Sequence, residues 1–359
     1  MSHEQLAEVW RYFVAHEAAG YSPLYAAIVA AAAEDDELLA LVASAPPSSQ
    51  YPLLTLAAVH DLVLAGRLPE LAATYRGEAA AGAAPLLFRA AVLDNRAHVL
   101  DVLHTRFVQT NECGRSSALA LGLAAATHVL GAPPDALVDA GASAGLNMLY
   151  DRYRLELGEH GVWGDPTSPV VCACSVRGRA PSSGLALVDV PMRVGLDRAP
   201  VDVCDEVAAR WLLACTWPDT GRLERTRAAI EIASASPPDV RRGDLVDDIG
   251  PLLAEVEDKV GAGGGWTCVV TSWAFGYLDV PQRQAFVAAL AEAGASRPVG
   301  WLSLEHPAAV RGVDAPSPVT PFEITPSVVG LTVFGKNGVE RQRPLAHVQP
   351  HGSALEWIG

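Results

Sequence analysis

The first third of the chain has the apolar spacing of helices. Apolar residues recur three and four positions apart in four segments, 6–14, 24–42, 53–64 and 85–103. Polar and proline-containing stretches separate these segments. The pattern therefore predicts a helical N-terminal domain over residues 1–135.

From residue 136 onward the pattern changes to short apolar runs that alternate with helix-like segments. Strands are predicted at 136–139, 186–194, 238–243, 266–272 and 298–304. Helices are predicted between them, and two further strands close the chain. Repeated alternation of this kind requires parallel strands, right-handed crossovers and helices on both faces of the sheet. We expect an α/β domain over residues 136–359.

One segment interrupts this alternation. Residues 151–184 contain alternating apolar positions and a strand-like run around Cys172, separated by glycine and proline. Such punctuation is typical of hairpins. We predict a β-hairpin insertion over residues 151–184.

Charge and composition exclude several function classes. The chain of 359 residues carries a formal net charge of −15, which opposes binding to nucleic-acid phosphates. No apolar run reaches the roughly 18 residues of a membrane span, and the N-terminus lacks a signal-peptide pattern. Only Cys172 and Cys174 are close among six cysteines, so we expect buried thiols and no metal site. We expect a cytoplasmic protein with a small-molecule substrate, without nucleic-acid or membrane partners.

The segment after the first predicted strand carries the clearest chemical pattern. Asp139 ends an apolar run, and Gly141-Ala142-Ser143-Ala144-Gly145 follows, before an apolar segment that continues to about Tyr150. Small residues between a strand and a helix let a cofactor approach the backbone and the helix N-terminus. The same letters are also G-x-S-x-G, the nucleophile elbow of serine hydrolases. A tight connection without a ligand is the third interpretation.

Polar residues also follow the other predicted strands. They are Asp197, Asp244, Ser272, Glu305 and His306. Ligands of parallel sheets bind at the carboxyl ends of the strands, so these side chains are candidates for one site. The loop 107–115 contains amide, acid and guanidinium groups, which suit either a ligand or helix capping.

Several of these phrases together resemble a known family. They are Gln109-Thr110-Asn111-Glu112, Asp139–Asn147, Gly195-Leu196-Asp197, Arg242-Gly243-Asp244-Leu245 and Pro350-His351-Gly352. The chain resembles a bacterial domain-of-unknown-function family, DUF2332, whose members are similar to class I S-adenosylmethionine-dependent methyltransferases. The resemblance implies a Rossmann-like methyltransferase sheet with S-adenosylmethionine as cofactor. It also implies methyl transfer to oxygen or nitrogen of a small molecule.

The resemblance also implies roles for individual residues. Asp139, Gly141, Ser143, Gly145 and Asn147 would form the glycine-rich loop around the amino-acid part of the cofactor. Asp197 would accept the ribose hydroxyls, Asp244 the adenine amino group, and Leu245 would lie beside the base. Ser272 would face the methyl group and the substrate. Ser143 stands where the usual motif has a middle glycine.

Catalysis of methyl transfer needs a base only where the acceptor is protonated. Glu112, Glu305, His306 and His351 are candidates, and His306 is preferred because it follows a strand end and histidine titrates near neutral pH. The catalytic set is then His306, Glu112 and Ser272. The helical domain would serve as a lid or as the contact of a homodimer.

Two alternatives to methyl transfer stay open. A serine hydrolase would use Ser143, with Asp244 as the acid and His306, His347 or His351 as the base, in the chain order of α/β-hydrolases. The other alternative is a non-catalytic or differently catalytic protein on a methyltransferase scaffold, which the serine in the glycine loop favours.

Overall fold

The structure is a computed structural model that describes residues 3–180, 182, 184–261, 265–310, 313, 315–319, 322 and 324–358. The chain forms two compact units, Met1–Thr110 with Asp202–Arg227, and Asn111–Val201 with Ala228–Gly359. We call them the helical unit and the sheet unit. The predicted boundary at residue 135 differs from this division.

The helix Arg115–Leu130 explains part of the difference in boundary. Its apolar, small-residue sequence looks like a continuation of the helical domain. In the structure it packs on the sheet, where a Cβ on Gly122 would lie 3.1 Å from both Leu302 and Val329. The helix therefore belongs to the sheet unit.

The helices of the helical unit pack around an apolar core. Its largest fully buried side chains include Trp10, Phe13 and Tyr25. Its helices are α1 (His3–Phe13), α2 (Pro23–Ala32), α3 (Asp36–Ala43), α4 (Pro52–Leu64), α5 (Pro69–Tyr75), α6 (Ala84–Asp94), α7 (Arg96–Thr105) and α9 (Glu206–Ala214). Helix α10 (Arg222–Ala235) begins in this unit and ends in the sheet unit.

The pattern over residues 24–42 predicts one helix, and the structure has two. The break lies between α2 and α3, where Asp35 Oδ1 accepts a hydrogen bond of 2.9 Å from Leu38 N. An N-cap aspartate satisfies an amide that would otherwise have no partner, so it starts a new helix here.

The sheet unit contains a nine-stranded mixed sheet in its described residues, which confirms the α/β class. The strands lie in the order β5-β12-β11-β10-β9-β8-β1-β6-β7. They are β1 (Ala136–Ala140), β5 (Ser175–Arg177), β6 (Met192–Asp197), β7 (Val240–Arg242), β8 (Thr267–Ser272), β9 (Val299–Glu305), β10 (Ser327–Gly335), β11 (Gly338–Val348) and β12 (Ala354–Trp357). The helices of this unit are α8 (Arg115–Leu130), α11 (Ile249–Val260) and α12 (Val280–Ser296).

The parallel half of the sheet has a reversal in strand order. Strands β7, β6, β1, β8 and β9 are parallel neighbours. After β1, the chain adds β6 and then β7 on one side of β1. It then adds β8 and β9 on the other side of β1. Ligands of open α/β sheets bind at the carboxyl ends of the strands beside such a reversal. The antiparallel β10, β11 and β12 extend the sheet beyond β9.

The connection after β1 differs from the expected α-helix. Residues Leu146–Arg152 form a 3-10 helix with a kink at Leu149. The chain then enters a small sheet of β2 (Arg154–Glu156), β3 (Val162–Gly164) and β4 (Val171–Ala173), in the order β3-β2-β4. The predicted hairpin insertion thus corresponds to an antiparallel pair, β2 and β3, plus a third strand parallel to β2.

The core of the sheet unit lies between the sheet and helices α11 and α12. Phe275, Phe286 and Trp301 form a ring cluster with centroids 4.9–5.6 Å apart. All six cysteines are unbridged; five are buried, as expected, and Cys204 is exposed. Among the described residues, no helix combines the length and apolar character that a membrane span requires.

Candidate functional site

Two strained residues mark the carboxyl edge of the central strands. Ser143 has φ 55° and Trp273 has φ 57°, and no other non-glycine residue in the described chain has a positive φ. They follow β1 and β8, which are adjacent and parallel. A bulky residue in this region of φ costs on the order of 1–3 kcal/mol, and such residues cluster at functional sites. This strain indicates that the candidate site lies at this edge.

The turn after β1 is interlocked with the loop after β8. Gly141 has φ 93° and its amide donates to Leu196 O at 2.8 Å. A Cβ on Gly141 would lie 2.2 Å from Ala274 Cβ. A Cβ on Gly145 would likewise lie 2.8 Å from the side chain of Val240. The space beside both glycines is thus occupied by protein side chains, so a ligand must approach the turn from another side.

Asp197 links the end of β6 to this turn. Its Oδ2 accepts a hydrogen bond of 2.8 Å from Ser143 N, and its Oδ1 accepts one of 2.8 Å from Ala199 N. Each carboxylate oxygen has two lone pairs, so both keep capacity for a further donor. The structure therefore brings Asp197 and Ser143 together, although they lie 54 positions apart in the chain.

Asn111 holds the second half of the turn. Its Oδ1 accepts hydrogen bonds from Ala144 N at 3.2 Å and from Leu146 N at 2.9 Å. The sequence predicts that the loop containing Asn111 binds a ligand or caps a helix; in the structure its side chain binds amides of the turn. The predicted cofactor-loop residue Asn147 is buried and accepts from Ser116 Oγ at 3.0 Å. The amide oxygen of Asn111 thus already accepts from two amides of the turn.

Asp139 lies beneath the turn in an apolar setting. Its side chain is buried, and burial together with the charge of Asp197 raises its pKa to about 7. A cavity of about 10 Å³ adjoins it, lined also by Asn147 and Tyr150. A volume of this size is close to that of one water molecule. Asp139 is therefore a buried acid that is largely protonated below neutral pH.

Asp244 and Leu245 lie in the loop after β7, beside the end of β6. The Asp244 carboxylate accepts from Val246 N at 2.8 Å, and Gly243 N donates to Asp197 O at 2.9 Å. Leu245 packs against the apolar core of the sheet unit. The structure thus places Asp244 on the same edge as Asp197, with its carboxylate already engaged by its own loop.

Arg115 connects the start of α8 to two other loops at this edge. Its Nε donates to Pro350 O at 2.8 Å, and its guanidinium lies 5.6 Å from the centre of the Trp273 ring. One terminal nitrogen also lies within hydrogen-bond distance of Ser272 O and Oγ, at 3.3 and 3.4 Å. This arginine therefore brings the predicted residue Ser272 close to the C-terminal Pro-His-Gly turn.

Glu112 and His351 meet beside Arg115. Glu112 is buried, its Oε1 accepts from Gly114 N at 2.8 Å, and its Oε2 lies 3.6 Å from His351 Nδ1. Gly352 has φ 84° and packs on Gly114 O, where a Cβ would lie at 2.1 Å. The close packing of these two loops holds the carboxylate and the imidazole near each other.

Glu305 and His306 have different surroundings from those expected of a base. Glu305 is buried and accepts from the amides of Ala274, Phe275 and Gly276 at 3.1–3.3 Å. Burial raises its pKa, although these hydrogen bonds favour the charged form. His306 is exposed, and its Nδ1 accepts from Ala308 N at 3.2 Å. Within the described chain, no hydrogen bond or ion pair joins His306 to Glu112 or Ser272.

The chain belongs to the bacterial protein family DUF2332, described as an uncharacterized protein conserved in bacteria. The family model matches residues 7–357. Comparison with curated proteins finds no match. The family membership predicted from the sequence is therefore confirmed.

Proposed function

We propose that this member of the DUF2332 family binds S-adenosylmethionine at the carboxyl edge of β1 and β6 and transfers its methyl group to a small molecule. The observation that carries the proposal is the contact of the Asp197 carboxylate with Ser143 N, 2.8 Å long, beside the reversal in strand order. Class I methyltransferases, which the sequence resembles, place a ribose-binding acid next to a glycine-rich turn at this point of a Rossmann-like sheet.

The residues of the turn fit part of such a cofactor. Asp197 keeps lone pairs for two ribose hydroxyls, a paired and charge-assisted arrangement. Ser143 Oγ is buried and has no hydrogen-bond partner, so it offers a further polar contact. The amides of Ala144 and Leu146 are bonded to Asn111, and they are therefore not assigned to the cofactor. When bound, the cofactor supplies an electrophilic methyl group on a sulfonium.

The protein's own contribution would be to position the acceptor and to take its proton. Glu112 and His351 are the acid and imidazole that the fold holds 3.6 Å apart. A carboxylate near Nδ1 orients an imidazole so that the other nitrogen can accept a proton. We assign this task to the pair rather than to His306. Trp273 Nε1 donates a hydrogen bond of 2.9 Å to Ser327 Oγ. The Trp273 ring offers an aromatic surface beside Ser272.

Calorimetric titration with S-adenosylmethionine and S-adenosylhomocysteine tests the proposal. We expect the wild-type protein to bind both, and Asp197→Asn to weaken binding at least tenfold. The exposed Asp247 gives a matched control, because Asp247→Asn makes the same chemical change elsewhere in the unit. Far-UV circular dichroism and thermal melts show whether each variant is folded. Absence of binding by the wild-type protein, or equal binding by folded Asp197→Asn, would reject the proposal.

A serine hydrolase is the second candidate function. The observation in its favour is the positive φ of Ser143 within G-x-S-x-G, since nucleophile elbows have a strained turn. Against it, Ser143 is buried and its Oγ has no hydrogen-bonded histidine in the described chain. Covalent labelling of Ser143 by a fluorophosphonate, without cofactor binding, would favour the hydrolase. Absence of both signals would favour a non-catalytic scaffold.

A further inference from the structure

A larger pocket lies near strands β11 and β12 of the sheet unit. Its volume is about 930 Å³, and its lining includes Glu159, His160, Arg179, Arg343, Leu345 and Ile358. Strand β11, which carries Arg343 and Leu345, is four positions from β1 in the sheet. The pocket is therefore separate from the candidate site at the ends of β1 and β6. Its volume is within the range of roughly 300–1,000 Å³ that small-molecule sites have.

The walls of this pocket are fixed by backbone contacts. Ile358 N donates to Leu345 O at 2.8 Å, which holds the end of the chain against β11. On the opposite side, Gly178 lies so close to Trp357 that a Cβ there would be 2.9 Å from Trp357 O. These contacts bring Arg179, which follows Gly178, and Arg343 to one pocket.

The two arginines differ from many others in this protein because their side chains have no acidic partner in the described part of the chain. Arg193 and Arg241 form ion pairs with aspartate or glutamate. Within the described residues, the side chains of Arg179 and Arg343 form no hydrogen bond or ion pair. The chain as a whole has a net charge of −15. Even so, the carboxylate of Glu159, which also lines the pocket, forms no ion pair with Arg179 or Arg343. Two arginines without acid partners in one pocket favour an anionic ligand.

His160 adds an independent indication of a ligand. Its Nε2 is buried and has no hydrogen-bond partner, while its ring packs edge-on against Trp163 with centroids 6.5 Å apart. The large majority of buried side-chain polar atoms in proteins are hydrogen-bonded, so this nitrogen on a pocket wall is suited to bind a ligand oxygen.

We propose that this pocket binds a small organic anion, either a carboxylate or a phosphate ester, with a short apolar part. Arg179 and Arg343 hold the anionic group, because a guanidinium presents paired donors that match carboxylate and phosphate oxygens. Leu345 and Ile358 contact the apolar part. Glu159 weakens binding by repulsion. The site is independent of the proposed cofactor site.

Calorimetry with three probes tests this site and separates the two ligand sources. The probes are hexanoate, butyl phosphate and inorganic phosphate, each titrated into the full-length protein at low and high salt. We expect saturable binding of one of the two organic anions, weaker at high salt because charge interactions are screened. Preference for hexanoate identifies a carboxylate ligand, and preference for butyl phosphate identifies a phosphate ester.

Matched variants show whether the named residues bind the probe. We expect Arg343→Gln and Arg179→Gln each to weaken binding about tenfold, and Glu159→Gln to strengthen it. Arg177→Gln, an exposed arginine outside the pocket lining, should leave binding unchanged. Asp197→Asn should also leave it unchanged, which separates this test from that of the cofactor site. Lack of saturable binding by every probe, or an equal effect of Arg177→Gln, would overturn the proposal.

Discussion

At the scale of the residue, Asp139 shows how burial changes an acid that the sequence marks only as a strand end. The carboxyl group lies in an apolar setting, close enough to Asp197 for the two charges to repel. Both effects disfavour the ionised form, and the pKa of Asp139 is raised to about 7. The folded protein therefore keeps a proton that the unfolded chain releases near pH 4.

This difference predicts the pH dependence of stability. The folded state binds the proton more tightly than the unfolded state, so the stabilisation is complete below about pH 4 and is lost as the pH rises to about 7. The loss is on the order of 4 kcal/mol for a shift of about three pKa units. Asp139→Asn cannot ionise, so we expect its free energy of unfolding to rise relative to wild type across this range.

Urea unfolding of both proteins at several values between pH 4 and pH 8 measures the effect. The relevant quantity is the difference in free energy of unfolding between variant and wild type at each pH, because the contributions of the other titrating groups cancel in it. The exposed Asp247 provides the control substitution, Asp247→Asn, which makes the same chemical change outside the apolar setting of Asp139. Parallel curves for Asp139→Asn and wild type would contradict the raised pKa.

At the scale of the element, the turn after β1 and the loop after β8 are packed as one unit. The side chain of Ala274 occupies the space beside Gly141, and both loops carry a residue with positive φ. Gly141→Ala would place a methyl group 2.2 Å from Ala274 Cβ, at φ 93°. We expect this variant to lose about 2–4 kcal/mol of unfolding free energy, from overpacking and backbone strain.

The double variant Gly141→Ala/Ala274→Gly separates these two causes. Removing the Ala274 methyl group relieves the overlap, so we expect the double variant to recover all but about 1 kcal/mol, which is the strain. Gly250→Ala serves as the control, because its Cβ would meet nothing closer than Ala289 Cβ at 3.9 Å. Thermal and urea unfolding measure the stability of Gly141→Ala, the double variant and Gly250→Ala. A double variant no more stable than Gly141→Ala would show that the two loops are not interlocked.

The same two loops show what the sequence could and could not predict. Strands β1 and β8 could be predicted because each is a short apolar run, whereas β6 lies at Met192–Asp197 and not at the predicted 186–194. The polar residues after the predicted strands indicate Asp139, Asp197 and Ser272 as one edge. The sequence could not show that Ala274 fills the space beside Gly141. Small residues have the same pattern whether they make room for a ligand or for a neighbouring side chain.

Long-range contacts account for most of the site that sequence reasoning missed. Arg115 donates to Pro350 O, 235 positions away, and Asn111 binds amides of the turn 33 and 35 positions away. No local periodicity encodes such pairs. The motifs around Glu112 and His351 are far apart in the sequence, and only the fold brings the two side chains together.

At the scale of the whole molecule, the helical unit is discontinuous in sequence. The segment Asp202–Arg227 is grouped with Met1–Thr110. In this unit Arg210 Nε donates to Asp61 Oδ1 at 2.8 Å, and His60 Nδ1 lies 3.1 Å from Ala214 O. The pattern of residues 1–135 resembles a complete helical domain because amphipathic helices look alike whether or not a later segment completes their core.

Later residues also complete the aromatic core of this unit. Trp217 lies 5.5–5.7 Å from the rings of Phe13, Tyr21 and Tyr25. Asp219 accepts hydrogen bonds from Ser22 Oγ at 2.6 Å and Leu24 N at 3.0 Å, at the start of α2. Trp217 is partly buried against this core. Burying much of a large apolar side chain contributes on the order of 1–3 kcal/mol, a sizeable part of the roughly 5–15 kcal/mol that stabilises a typical domain.

We therefore expect residues 1–110 alone to lack a cooperative unfolding transition, and the same residues joined to 202–227 by a Gly/Ser linker to have one. Circular dichroism during heating measures both fragments. A fragment joined to a scrambled 202–227 segment of the same composition is the control, since it adds equal length and hydrophobicity without the contacts of Trp217 and Asp219. If residues 1–110 alone unfold as cooperatively and at the same temperature as the joined fragment, the later segment is dispensable to the helical core. Cooperative unfolding of the joined fragment only would show that the core forms from both parts of the chain.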